Sequence, residues 1–210
     1  MAENKITPAY DNKIYQKYSK KTIENKEKNK IAFLQDLERP FHKKIPLICV
    51  TYALTDQNQV SLIQAAIEGI LEQPVEVVFT AVGSPKYQGF FSDLASQQPE
   101  KVAIADGDAD SRRKIYAAAD IMLVSSNSPE CLSEAKNGLA YGAVPVMPPA
   151  DFAEDYNLNL ERGNAFVYPR MSHWSLYAAL IRALENFKFP YDWKTIQVAG
   201  MSESETEKSA

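Results

Sequence analysis

The sequence predicts an α/β fold, a Rossmann-like, doubly wound parallel sheet built as one domain. Two observations carry this prediction. Short apolar runs, Leu47–Val50 first among them, have the character of strands buried on both faces. Stretches of helical period lie between the runs, and that alternation marks βαβ units. A length of 210 residues suits one such domain with an appended arm.

Residues 1–18 carry Pro8 and three tyrosines (Tyr10, Tyr15, Tyr18) and read as an extended N-terminal arm. The domain proper is expected over 19–200. It opens with a charged stretch, Ser19–Glu38, with Ile31, Leu34 and Leu37 at helical spacing. Glu24, Glu27 and Asp36 interleave with its lysines, so the run reads as a solvated helix face rather than a basic patch.

Strand Leu47–Val50 follows Pro46. A helix with Leu62, Ile63, Ala66, Ile67, Ile70 and Leu71 on one side leads to strand Val75–Phe79. A helix near Tyr87–Ser96, strand Lys101–Ala105, a helix near Ser111–Ala118 and strand Ile121–Val124 continue the alternation. A helix from about Ser133 to Tyr141 precedes strand Val144–Met147, and strand Asn164–Tyr168 precedes a long amphipathic helix, Trp174–Phe187. Trp174, Tyr177 and Leu180 at helical spacing suggest core or interface, and His173 a helix start. The Tyr191–Trp193 cluster suggests packing of a crossover segment. Residues 201–210 form an acidic tail or a frayed helix end.

Composition removes several function classes. Apolar residues make up 45% and charged residues 24%, as in ordinary globular proteins. A net charge of −4 lacks the basic footprint of a nucleic-acid binder. Two distant cysteines, Cys49 and Cys131, make neither a disulfide framework nor a Cys-x-x-Cys site. His42 and His173 are too few for a histidine metal centre, so no metal and no resident cofactor is expected. The opening residues lack an apolar leader and no run is long enough to span a membrane, which makes the cytoplasm the expected location.

In a sheet of this kind ligands bind beyond the C-terminal strand ends, where the strand order reverses. The segments that matter are therefore Thr51–Gln59, Ala81–Tyr87, Asp106–Asp110, Ser125–Glu134 and Pro148–Tyr156.

The sequence also carries a family resemblance. Leu54-Thr55-Asp56-Gln57, Ile115-Tyr116-Ala117-Ala118-Ala119-Asp120 and Tyr141-Gly142-Ala143-Val144-Pro145-Val146 resemble fixed phrases of bacterial glycogen synthases and plant starch synthases. Pro8-Ala9-Tyr10-Asp11, Gly83-Ser84-Pro85-Lys86-Tyr87 and Asn164-Ala165-Phe166-Val167-Tyr168 continue the match in order. The resemblance runs from about Ile6 to Ala210. It implies the C-terminal domain of a GT-B glycosyltransferase, the half that holds an ADP-glucose or UDP-glucose donor. The other GT-B half, which brings the glucan acceptor, is absent from this sequence.

The resemblance places the donor site at Ala53, Thr55, Asn58, Gly83, Gly107, Cys131, Leu132, Ser133 and Glu134, and many of these depart from the family. The family's phosphate-gripping Arg and Lys fall on Ala53 and Asn58, and the glycine after that Lys falls on Gln59. A charge-assisted hydrogen bond is worth roughly 1.5–3 kcal/mol, so losing two costs about 10²–10⁴ in affinity. The tyrosine that would stack on the base falls at Asp106-Gly107. In the family's Phe-Glu-Pro-Cys-Gly-Leu-Thr turn, registered on Cys131, the glutamate falls on Pro129, the glycine on Leu132 and the threonine on Glu134. A carboxylate at Glu134 is expected to repel a diphosphate, although Ser133 and Glu134 also read as plain helix-start residues. A loop shortened by one residue would instead put Glu130 in the glutamate's place, as a possible catalytic residue. Pro148-Pro149-Ala150-Asp151 stands where the family has a double glycine, and prolines offer no N–H to a ligand.

Two readings follow. The chain is either the donor half of a glucosyltransferase, inactive alone and completed by a GT-B N-terminal half, or a pseudoenzyme that contacts protein or glucan. A homo-oligomer or another protein partner is expected to cover the face an unpaired half exposes. Donor binding is expected to be weak or absent, since the changed positions are those a donor needs.

Overall fold

A computed structural model of the chain describes residues 7–206, with side chains up to Ser202. Six parallel strands form one sheet in the order β3-β2-β1-β4-β5-β6. They are β1 (Leu47–Val50), β2 (Glu76–Thr80), β3 (Val102–Ala105), β4 (Ile121–Leu123), β5 (Val144–Met147) and β6 (Phe166–Val167). Every residue of β1, β2, β4 and β5 is buried. Helices cover both faces, and unbroken apolar runs are what such strands require.

Among the described residues a 3-10 helix (Lys20–Asn25) precedes seven α-helices that flank the sheet: α1 (Lys26–Asp36), α2 (Ser61–Glu72), α3 (Pro85–Gln97), α4 (Ala109–Ala118), α5 (Pro129–Ala140), α6 (His173–Phe187) and α7 (Pro190–Thr206). Local chemistry sets their ends. Ser128 caps α5 by accepting the Cys131 N–H, and Pro129 follows with its φ already helical. At the other end Gly142 takes a φ of 68°, and the N–H groups of Gly142 and Ala143 return to the carbonyls of Leu139 and Gly138. The Tyr141-Gly142-Ala143 phrase is thus a helix stop that feeds β5. Asp108 caps α4, and Ser172 caps α6.

Several expectations are corrected by packing. The arm, over its described residues 7–18, closes onto the domain rather than extending from it. The Asp11 carboxylate is buried, accepts the Tyr141 hydroxyl at 2.6 Å and pairs with Arg113 at 3.3 Å. Tyr18 donates to the Tyr141 carbonyl at 2.7 Å. The lysine run is not wholly solvated either. Lys26 and Lys30 are buried, with Lys26 donating to the carbonyls of Tyr116 and Ala117 at the end of α4. Lys30 bonds Asp120 and the Ile45 carbonyl, each at 2.6 Å.

At the C-terminal side, α7 runs from Pro190 to Thr206 and so continues through position 201. Residues 207–210 lie outside the described part. Trp174 is 72% exposed and so takes no part in the core, whereas Leu180 is fully buried and Tyr177 packs on Gly69. Of the Tyr191–Trp193 cluster only Trp193 is buried, against Phe187 and Phe166.

Candidate functional site

The chain leaves the sheet in opposite directions from β1 and β4, which are hydrogen-bonded neighbours. The crevice beyond Val50 and Leu123 is therefore the switch point. Its walls are the loop 51–60 after β1 and the segment 124–128 that leads into α5. Helix α5 aims its N-terminus there, the usual place for an anion.

Side chains of the two walls are hydrogen-bonded to one another across this crevice. Asn58 is almost wholly buried. Its amide nitrogen donates to the Ala53 carbonyl and to Glu130 Oε2, both at 2.8 Å. Its amide oxygen accepts the Ser128 hydroxyl at 2.7 Å. The other Glu130 oxygen accepts the Ala53 N–H at 2.9 Å. Beneath them, the Tyr52 hydroxyl lies 2.7 Å from Ser125 Oγ, and Ser125 donates to the Asn58 carbonyl at 2.6 Å. The Asn58 side chain thus has both N–H donors and its carbonyl oxygen hydrogen-bonded, which is why burying it is tolerable.

Glu130 lies in the first turn of α5, where a carboxylate is favoured by the free N–H groups and the helix dipole. It supplies from within the chain the negative charge that such a terminus attracts. Asp108 does the same at α4, beyond β3. Its carboxylate accepts the Asp110 and Ser111 N–H groups and the Ser111 hydroxyl, which together hold it below the usual carboxylate range.

The remaining predicted positions divide between loop geometry and the core. Thr55 accepts the Asn58 N–H at 3.2 Å and shapes the loop. Gly83 has a φ of 142°, and a Cβ there would sit 2.4 Å from the Leu54 carbonyl, so it permits the β1 and β2 loops to touch. Gly107 packs on Val82 and accepts Arg112 Nε at 2.9 Å. Cys131 is fully buried, its thiol pushed up by desolvation, and Leu132 packs partly on the core.

Ser133 and Glu134 are not helix-start residues, because α5 begins four residues earlier than the periodicity suggests. Ser133 is exposed. Glu134 is buried, accepts the Tyr116 hydroxyl at 2.7 Å and pairs with Arg112 at 3.2 Å. Its charge is therefore balanced inside the domain and is not a bare repulsive carboxylate. Burial, reinforced by that carboxylate, keeps the Tyr116 hydroxyl protonated far above the usual range.

Sequence reasoning missed Ser128, Ser125 and Asp108. Ser128-Pro129 and Asp108 ahead of Ser111 were legible as helix caps. Nothing in the spacing announced that Asn58 and Glu130 would meet. Among the described residues no group of three His, Cys, Asp or Glu side chains could hold a metal ion, and no helix is long and apolar enough to cross a membrane.

The strand order and the switch-point crevice define a Rossmann-like α/β domain, the fold also found in GT-B glycosyltransferases. The chain superimposes with a TM-score of 0.79 on the catalytic domain of starch synthase IV from Arabidopsis thaliana bound to ADP and acarbose, at 22% identity over 96% of this chain and 45% of that one. Along its whole length it is homologous to the C-terminal half of glycogen synthases. The enzyme of Cellvibrio japonicus is 30% identical over 97% of this chain and 44% of its own length. That of Clostridium perfringens is 30% identical over 99% and 44%. The chain thus spans less than half the length of these relatives, and no family model matches it.

Proposed function

We propose that this chain is a glycogen/starch-synthase-type donor domain whose donor site has been closed by its own side chains. By itself it carries no glycosyltransferase activity and holds ADP-glucose or UDP-glucose weakly if at all. Its role is to bind a partner, a GT-B N-terminal half or another protein, through the retained scaffold. The observation that supports this reading is the Glu130 carboxylate seated on the Ala53 N–H and the Asn58 amide. A nucleotide diphosphate entering the crevice meets Glu130 without the arginine and lysine that the family places at positions 53 and 58. Losing both cationic contacts removes electrostatics on which stabilisation of a departing diphosphate depends.

The starch synthase relative is described as bound to ADP, and the same fold favours a residual affinity for nucleotide here. Titration calorimetry with ADP and with ADP-glucose separates the two readings. Dissociation constants in the millimolar range or no heat support the closed site. Micromolar binding of either ligand overturns it.

A further inference from the structure

On the opposite side of the sheet, at the N-terminal strand ends, lies a cavity of about 720 Å³. It belongs neither to the switch point nor to any phrase of the donor site. Its walls come from α1, the linker before β1, the start of β4 and the junction of α6 with α7. Phe41, Phe187 and Trp193 make it largely aromatic, with Ile23, Ala118 and Pro190 completing the apolar surface. The volume falls within the range of small-molecule sites, which are mostly apolar with a few placed polar groups.

The polar groups here are cationic. Lys26, Lys30, Lys43, Lys44, Lys188 and Lys194 line the cavity, against the carboxylates of Glu24, Glu27 and Asp120. Asp120 is taken by Lys30 at 2.6 Å and Glu27 by Lys43 at 2.9 Å. Glu24 reaches Lys194 only at 4.0 Å. Lys26 is 4% exposed and bonds two neutral carbonyls, so no carboxylate touches its ammonium group. Lys188 is paired with Glu185 at 2.6 Å, so among the described lining lysines Lys44 on the exposed rim and Lys26 in the wall are the two with no carboxylate contact.

Burying a lysine is costly unless something compensates it. Lys30 has Asp120, and its ammonium also lies 5.8 Å from the Phe41 ring and 5.7 Å from that of Phe187. Lys26 has the negative end of the α4 dipole and the face of the Tyr18 ring at 5.9 Å. A ligand that brings an apolar body for the aromatic walls and one negative group for the exposed cationic rim at Lys44 suits both features.

We propose that this cavity is a binding site for an apolar carboxylate, an aliphatic or aromatic acid of small-molecule size. The site is independent of the donor crevice, since the two lie at opposite ends of the strands.

The test uses decanoate as the probe and decan-1-ol as its neutral counterpart, titrated into the full chain by calorimetry. The expected result is one-site binding of decanoate at least about tenfold tighter than decan-1-ol, the worth of one charge-assisted hydrogen bond. Lys44→Glu combined with Lys194→Glu changes only the exposed rim and should weaken decanoate about tenfold while leaving decan-1-ol unchanged. Circular dichroism of the double variant establishes that it folds. No saturable binding of decanoate, equal affinity for acid and alcohol, or an unaltered affinity in the rim variant overturns the proposal.

Discussion

The Asn58 amide donates to the Glu130 carboxylate at 2.8 Å across the mouth of the switch-point crevice, joining the β1 loop to the first turn of α5. These two residues stand 72 positions apart and set one neutral and one negative group at the N-terminal end of α5. Four expected outcomes follow from this contact and from two further positions, Gln59 and Lys26.

Restoring the family's cations is not enough by itself. In Ala53→Arg with Asn58→Lys, the introduced lysine meets Glu130 and is neutralised by it. ADP affinity should therefore rise less than about tenfold in that pair, and about 10²-fold once Glu130→Gln is added. Calorimetry on the double and triple variants checks this, and equal affinities would show that Glu130 does not block the site.

The same network predicts unequal costs for its members. Asn58→Ala leaves half-buried partners of the amide unsatisfied, the Ser128 hydroxyl and the Ala53 carbonyl among them, and should cost about 1–2 kcal/mol. Glu130→Gln keeps an oxygen for the Ala53 N–H on an exposed side chain and should cost less than about 1 kcal/mol. Urea denaturation measures both, with the difference between them as the diagnostic quantity.

Gln59 adopts a φ of 51°, the left-handed region, where the family has glycine. A side chain there costs about 1–2 kcal/mol, part of which glycine gives back through the freedom of the unfolded chain. Gln59→Gly should accordingly stabilise the fold by up to about 1 kcal/mol, and Gln59→Val, which is β-branched, should destabilise it. Thermal melts of the two variants should move in opposite directions.

Burial lowers the Lys26 pKa from its ordinary value to about 7, with Asp120 opposing the shift. Between about pH 7 and the ordinary lysine range the unfolded chain binds a proton that the folded chain releases. Stability should rise with pH across that window, and the gain should be lost as pH falls through 7. Lys26→Met removes this group, so its unfolding free energy should vary less with pH between 7 and 10, as read from denaturation series.

Much of the fold was legible in the residues. The runs at Leu47–Val50 and Val144–Met147 coincide with β1 and β5, because strands buried on both faces must be continuously apolar. Helix α5 was the least accurate element. Its apolar period becomes visible only at Ser133, whereas the cap that starts it is Ser128. Glu134 was therefore placed at the start of a helix when it lies in its second turn, facing Tyr116 and Arg112.

The sequence alone determined the class of sheet, the positions of the loops at its functional end, and that positions 53 and 58 carry uncharged residues. These depend on period, polarity and residue identity, which are local properties. The tertiary structure decided what stands beside them. Whether Glu130 turns toward Asn58, and whether Lys26 and Lys30 face water or a cavity, depends on groups distant in sequence that only the closed fold brings within hydrogen-bonding reach.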